Sequence, residues 1–130
     1  LTGVAIGDLN NDGKPDLVAT GGLIWIALGQ GGGSFAAPAS YATSNGPISP
    51  LVADFNLDGN PDVAVANQAA NAATVHLGSG DGKINAGTKV GTAAGPHGLA
   101  TADWNGDGLP DLVTANATAG DSTIILNASK

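Results

Sequence analysis

One stretch of sequence decides the fold, and it first appears as Asp8-Leu-Asn-Asn-Asp-Gly-Lys-Pro-Asp16. The same pattern returns as Asp54-Phe-Asn-Leu-Asp-Gly-Asn-Pro-Asp62 and as Asp103-Trp-Asn-Gly-Asp-Gly-Leu-Pro-Asp111. We call these segments aspartate loops 1, 2 and 3 and number their residues as positions 1 to 9. Because the loops start at residues 8, 54 and 103, the repeat period is 46 to 49 residues, which is typical of β-propeller blades.

Short apolar runs flank each loop and predict strands of about five residues. One run precedes the loop and two follow it. In chain order they are residues 4–7, 17–20 and 24–28, then 51–53, 63–66 and 74–77, then 99–102, 112–115 and 123–126. Glycine-rich turns at 29–34 and 78–82 lead into a looser fourth strand near 35–43 and near 83–92. Four consecutive antiparallel strands per repeat describe a β-propeller blade.

The chain therefore divides into repeat 1 (1–46), repeat 2 (47–95) and repeat 3 (96–130), and repeat 3 stops after its third strand, without the outer one. A propeller ring needs about four to eight blades. We expect an all-β chain, beginning at Leu1 rather than at a methionine, that is part of a larger or oligomeric propeller. Other propeller repeats, or copies of the chain itself, would pair with its exposed blade edges.

Composition supports an all-β fold and excludes several classes of partner. All eleven acidic residues are aspartate and all four basic residues are lysine, so the helix formers Glu and Arg are absent, as is Met. A net charge of −7 leaves no basic surface for nucleic acid. The longest apolar stretch, residues 23–28, is far shorter than the roughly 20 residues that span a bilayer, so no membrane span is expected.

Each aspartate loop carries the donor atoms of a calcium site. Side-chain oxygens recur at positions 1, 3, 5 and 9, and the backbone carbonyl at position 7 can add a fifth. Glycine at position 6 lets the chain turn through positive φ, and proline at position 8 leads it into the next strand. A single copy could equally be an Asx-rich turn, but three copies in register favour a metal site. An EF-hand is rejected, because the loop lacks the closing glutamate and has flanking strands.

The strand-loop-strand pattern resembles the FG-GAP or VCBS repeat family, whose calcium-binding blade also occurs in integrin α-chain propellers. The resemblance implies Ca²⁺ as the cofactor, with one site in each repeat. The implied ligands are Asp8, Asn10, Asp12, Asp16 and the Lys14 carbonyl; Asp54, Asn56, Asp58, Asp62 and the Asn60 carbonyl; and Asp103, Asn105, Asp107, Asp111 and the Leu109 carbonyl. It also implies a secreted, extracellular or cell-surface scaffold for cell adhesion, assembly or ligand binding, in which calcium stabilises each blade.

Two other functions stay open. The chain could be a carbohydrate-binding propeller, since Trp25 and Trp104 could stack on sugar rings. Packing within the blades is favoured for both, because Trp104 takes the loop position that Leu9 and Phe55 occupy in the other copies. The chain could also be a non-catalytic accessory domain of a secreted enzyme. A protein or glycan ligand fits any of these functions.

We do not expect the chain to be an enzyme. Nine of its eleven aspartates lie in equivalent loops, and the other two, Asp81 and Asp121, have turn-like neighbours. His76 and His97 have no second histidine or cysteine at a metal-binding spacing. The glycine-rich segments at 29–34 and 78–83 are interpreted as hairpin turns rather than phosphate loops, because no helix is expected to follow them.

Overall fold

The computed structural model describes residues 1–127, which are all-β apart from one short 3-10 helix. Repeat 1 contains β1 (Gly3–Gly7), β2 (Asp16–Thr20), β3 (Ile24–Ala27), β4 (Gly29–Gly31), β5 (Ser34–Phe35) and β6 (Ala39–Tyr41). Repeat 2 contains β7 (Pro47–Ala53), β8 (Asp62–Asn67), the 3-10 helix (Gln68–Ala70), β9 (Ala72–His76) and β10 (Thr88–Gly91). Repeat 3 contains β11 (Pro96–Ala102), β12 (Asp111–Asn116) and β13 (Asp121–Ile125).

Each repeat forms its own antiparallel sheet, with strand orders β1-β2-β3-β6, β7-β8-β9-β10 and β11-β12-β13. The predicted all-β class and the meander order are confirmed. The sheet of repeat 3 has three strands among the described residues, and those residues do not close a ring. The 3-10 helix in the β8–β9 connection was not predicted from the sequence.

The fourth strands are shorter than the sequence predicts. β6 has three residues and β10 has four. The glycine-rich segments before them form local pairs instead: β4 pairs with β5, and Gly78 makes an isolated bridge with Ile84. These pairs use residues that would otherwise extend the outer strand, which explains the difference.

Two apolar clusters lie between the sheets and join the repeats. The first contains Val18, Ile24 and Ile26 of repeat 1 with Val63 and Val65 of repeat 2. The second contains Phe55 and Ala64 of repeat 2 with Leu112 of repeat 3. Alternate residues of β8 therefore contact opposite neighbours, and all six of its residues are buried. Full burial of one such valine stabilises the fold by roughly 1.5–3 kcal/mol, so packing between neighbouring sheets contributes to stability.

A buried polar network lies beside the first cluster. His76 is fully buried, its Nδ1 lies 3.0 Å from the Asn85 carbonyl oxygen, and its Nε2 lies 3.2 Å from Thr74 Oγ1. Because a carbonyl only accepts, Nδ1 carries the proton and Nε2 accepts from the hydroxyl. Thr43, in the connection between repeats 1 and 2, lies 2.9 Å from Thr74 Oγ1 and donates to Asn67 Oδ1. The network thus links the two repeats through neutral groups.

We expect this network to make stability depend on pH. Burial lowers the pKa of His76 below its ordinary value of 6.5, while the bond to Asn85 opposes this shift, and no charged group contributes to it. The unfolded chain takes up a proton below about pH 6.5 and the folded chain does not, so stability is lost as the pH falls below that value. The free energy of unfolding should fall by at most about 1.4 kcal/mol per pH unit. Urea unfolding at pH 7.5 and at pH 5.5 measures this loss.

His76→Gln should remove most of this acid-dependent loss. His97→Gln is the matched control, because His97 is exposed on β11. An acid-dependent loss that persists unchanged in His76→Gln would assign the effect to other groups.

Candidate metal centre

The three aspartate loops occupy equivalent places in the fold, since each joins the first and second strands of its sheet. Each second strand begins at the position-9 aspartate, directly after the position-8 proline. Proline has no backbone N–H to donate to a neighbouring strand, so a strand is expected to begin after it. Loops 1 and 2 also contact each other, because Asn11 Nδ2 donates to Asn60 Oδ1 at 3.2 Å. Loops 1 and 2 therefore lie side by side at the same end of adjacent sheets.

The position-1 aspartate organises each loop. In loop 1, Asp8 accepts from the amides of Asp12 and Gly13, at 3.1 and 2.8 Å. Asp54 accepts in the same way in loop 2, at 3.2 and 2.8 Å, and Asp103 in loop 3, also at 3.2 and 2.8 Å. The glycines at position 6 have φ values of 80°, 88° and 84°, a left-handed conformation that strains other residues. Glycine is thus required where the chain curls back to the carboxylate.

The position-5 aspartate makes a tighter turn inside the loop. Its Oδ1 accepts from the amide two residues later, at 2.9 Å for Asp12 and Asp58 and 3.0 Å for Asp107. These side chains are exposed. In loops 1 and 2 the second carboxylate oxygen accepts from the side-chain amide of the position-3 asparagine, at 3.3 Å in both loops.

The position-9 aspartates have a structural role that the sequence analysis missed. Asp16, Asp62 and Asp111 are at most 1% exposed, although each carries a carboxylate. One oxygen accepts from the position-2 amide, at 2.7 to 2.8 Å. The other accepts from an amide just beyond the third strand, namely that of Gly29, Gly78 or Asn127. The sequence did contain a signal for this role, because each of these aspartates stands at the start of an apolar strand. A carboxylate that is buried there must accept hydrogen bonds from nearby donors.

The pKa of Asp62 in loop 2 shows how burial disfavours the charged form of such a carboxylate. Burial is the largest influence on the pKa of Asp62 and raises it, while the amides of Gly78 and Phe55 lower it. The carboxylates of Asp58 and Asp54 raise it further. Negative charge is therefore concentrated enough in this loop for the carboxylates to repel one another.

Position 3 provides the observation that points to a ligand. Asn10 Oδ1 is buried and has no hydrogen-bond partner, while Asn10 Nδ2 donates to Asp12 Oδ2 at 3.3 Å. In loops 2 and 3 the corresponding oxygens accept weakly from Asp58 and Asp107, at 3.4 and 3.3 Å. Buried acceptors in native proteins are nearly always satisfied, so the oxygen of Asn10 fits a site that a cation completes.

The predicted ligands are close together in sequence within each loop, but their side chains do not form a complete coordination sphere. Within residues 1–127, no three acidic, histidine or cysteine side chains converge in a metal-binding group. The position-9 carboxylate is turned toward its two amide donors. Each of its oxygens retains a further lone pair, so ligation and amide binding are compatible. The all-oxygen donor set suits calcium, and the ligand assignment stays a prediction.

Trp104 does not pack as the sequence predicts. Leu9 and Phe55 at position 2 are 1% and 4% exposed, whereas Trp104 at the same position is 48% exposed. Leu9 and Phe55 belong to the clusters that join each repeat to the next one. No such neighbour covers Trp104 among the described residues, so the prediction of buried packing is wrong for Trp104. Trp25 is partly buried on β3.

Comparison with known families agrees with this geometry. A family model described as an FG-GAP-like repeat matches residues 8–65 and residues 54–114. The chain belongs to the FG-GAP-like repeat family. Each match begins at a position-1 aspartate and continues through the next aspartate loop into the second strand of the following sheet, so each match spans two aspartate loops and the two matches overlap at loop 2.

The FG-GAP-like repeats of this chain fit the blades of a β-propeller-type scaffold. A search of curated protein sequences finds no significant match. In the described part of this FG-GAP-like chain, no helix is long and apolar enough to cross a membrane.

Proposed function

We propose that the chain is an extracellular calcium-binding β-propeller scaffold that serves adhesion, assembly or ligand binding, with one Ca²⁺ stabilising each repeat. The buried oxygen of Asn10, which lacks a partner in the protein, carries the metal assignment. The repeated oxygen donors in loops 2 and 3 support the same chemistry there. An external location supports occupancy, because extracellular modules bind calcium with dissociation constants near 10⁻⁴–10⁻³ M.

By holding one ion, the ligand residues of each loop would connect that loop to the strands beside it. Asp8, Asn10 and Asp12, the Lys14 carbonyl and Asp16 would hold the ion in loop 1, and the equivalent residues would do so in loops 2 and 3. A bound ion supplies positive charge that offsets repulsion of about 1 kcal/mol between each pair of carboxylates at 4 Å in water. Since Asp16 already binds amides from loop 1 and from Gly29, its position connects the loop, β2 and the end of β3.

We also propose that the chain is not a catalyst. Nine aspartates lie in the three loops, where the position-1, position-5 and position-9 carboxylates all accept backbone amides. His76 is buried among neutral partners, and His97 is exposed. These assignments support a binding or structural role.

Calcium should raise the free energy of unfolding by roughly 0.4–1.4 kcal/mol per site, at 1 mM calcium and dissociation constants of 0.1–1 mM. Three sites together give about 1–4 kcal/mol. Thermal melts of calcium-loaded protein, with and without excess EGTA, measure this gain, and added calcium should restore it. An identical melt in EGTA would contradict the proposal.

A pair of variants tests the ligands themselves. Asp12→Ala removes a proposed ligand, whereas Asp81→Ala removes a carboxylate from an exposed turn where Asp81 binds Ser79 and Lys83. Native mass spectrometry in calcium should detect three ions on the unmodified chain and on Asp81→Ala, and two on Asp12→Ala. Equal ion counts for the two variants would contradict the assignment of Asp12 as a ligand.

A further inference from the structure

Loop 3 differs from the other two loops in the residue that follows its position-3 asparagine. That residue is Asn11 in loop 1, Leu57 in loop 2 and Gly106 in loop 3. Asn105 and Gly106 are both exposed, so water reaches them. A glycine after an asparagine leaves its backbone nitrogen open to contact with the asparagine side chain, because no Cβ stands in the way. Of the three loops, loop 3 is therefore the one in which the backbone can most easily react with its own asparagine.

The Gly106 amide is also held differently from its counterparts. It donates to Asp103 Oδ1 at 2.8 Å. In loops 1 and 2 the position-1 carboxylate accepts from positions 5 and 6 and not from position 4. The position-4 nitrogen of loop 3 thus has a carboxylate oxygen in place to take its proton. A proton acceptor held in this way lowers the barrier to attack by the nitrogen.

The two ends of the Asn105 amide are bound unequally. Its Oδ1 accepts from the Asp107 amide at 3.3 Å, and this donor stabilises negative charge that develops on the oxygen. Its Nδ2 donates to no acceptor within residues 1–127. The equivalent nitrogens of Asn10 and Asn56 each donate to the position-5 carboxylate, at 3.3 Å. The side-chain nitrogen is therefore free to leave in loop 3 and is restrained in loops 1 and 2.

We propose that Asn105 is a site of spontaneous deamidation in the folded protein. The Gly106 nitrogen attacks Asn105 Cγ, the new N–Cγ bond closes a succinimide ring, and the Cγ–Nδ2 bond breaks. The proton of the Gly106 amide passes by way of Asp103 to the departing nitrogen, which leaves as ammonia. Water then opens either C–N bond of the ring, and the product is aspartate or isoaspartate.

This reaction needs only the chain and water, so the inference goes beyond the proposed calcium function and does not rest on it. Either product adds one negative charge to a chain whose net charge is −7. Isoaspartate also lengthens the main chain between positions 3 and 4, which changes the donor spacing that the three loops share. Loop 3 thereby loses its equivalence to loops 1 and 2 as the protein ages.

A second Asn-Gly pair provides a control within the same molecule. Asn45 is exposed, like Asn105, and precedes Gly46. The backbone carbonyls of Asn45 and Gly46 accept amides of the 3-10 helix, at 3.2 and 2.8 Å. No carboxylate accepts the Gly46 amide in the part of the chain that the structure describes. The two pairs therefore have the same sequence, but only the pair in loop 3 has the hydrogen bonds that favour the reaction.

Peptide mapping by mass spectrometry, on protein kept at pH 7.5 in EGTA, measures the conversion of both asparagines. In the folded protein Asn105 should convert at least about tenfold faster than Asn45, which corresponds to about 1.4 kcal/mol in the barrier. In concentrated guanidinium chloride the two rates should be similar, because unfolding removes the hydrogen bonds that distinguish the pairs. Equal rates in the folded protein, or faster conversion of Asn45, would overturn the proposal.

Two variants test the parts of the site separately. Gly106→Leu gives loop 3 the Asn-Leu pair of loop 2, where leucine occupies the same position at a φ of 57°, and it should abolish fast conversion of Asn105. Asp103→Asn keeps an oxygen that can accept the Gly106 amide but removes the carboxylate, so conversion should slow toward the rate of Asn45. Continued fast conversion in Gly106→Leu would exclude attack by the position-4 nitrogen. An unchanged rate in Asp103→Asn would contradict the role of the carboxylate. All rates are read without calcium, so they are independent of the ion counts that test the metal sites.

Discussion

Replacing Asp62 with alanine should lower the free energy of unfolding by roughly 2–4 kcal/mol, even without calcium. The Asp62 carboxylate is completely buried and accepts the amides of Phe55 and Gly78, both at 2.8 Å. Each amide that loses its partner in a buried site costs about 1–3 kcal/mol. The total is reduced because the alanine variant no longer has to bury a carboxylate, whose pKa burial raises.

Urea unfolding in excess EGTA measures this effect apart from any bound ion. Asp62→Asn should also be destabilising, because an amide group offers one oxygen where the fold requires two acceptors. Asp81→Ala should cause little change, since Asp81 is exposed. If Asp62→Ala matched the unmodified protein in EGTA and differed only in calcium, the carboxylate would act solely as a metal ligand.

Gly78→Ala should destabilise the fold by about 3 kcal/mol, through overpacking against rigid backbone. A Cβ on Gly78 would overlap the carbonyl oxygen of Pro61, and backbone atoms cannot rotate away as a flexible side chain can. Any shift that relieves this overlap also moves the Gly78 amide from Asp62 Oδ1. The same clash exists at Gly29, whose Cβ would meet the Pro15 carbonyl oxygen, so Gly29→Ala should behave alike.

Gly91→Ala is the matched control for this substitution. Gly91 lies in β10, an edge strand of the repeat 2 sheet, and a Cβ there meets no atom within 4 Å. Its free energy of unfolding should change by less than about 0.5 kcal/mol. Comparable losses in Gly78→Ala and Gly91→Ala would show that a general cost of replacing glycine, rather than the contact with Pro61, explains the destabilisation.

The features that the sequence predicted well are those that neighbouring residues along the chain decide. Apolar runs located the three principal strands of every repeat to within a few residues. Glycine at position 6 anticipated the positive φ of Gly13, Gly59 and Gly108, and proline at position 8 anticipated the start of the next strand. The outer strands were less predictable, because glycine-rich segments can pair locally or extend the sheet at similar cost.

The candidate site also has features that the sequence predicted and features that it could not predict. Donor spacing and the family resemblance gave the fifteen residues proposed to hold calcium, but they gave the position-9 aspartates one role where the structure shows another. Asp16, Asp62 and Asp111 are buried because the third strand returns over them and supplies an amide donor. No local pattern reveals which later residue supplies that amide.

The sequence by itself determined the repeat, its period, the all-β class and the oxygen chemistry of the loops. These properties depend on residue types at fixed spacings within about nine residues. Only the tertiary structure decided which of three equivalent side chains is covered: Leu9 and Phe55 are buried while Trp104 is half exposed. The physical reason is that burial at this position depends on the sheet of the following repeat, and the position itself does not encode that neighbour.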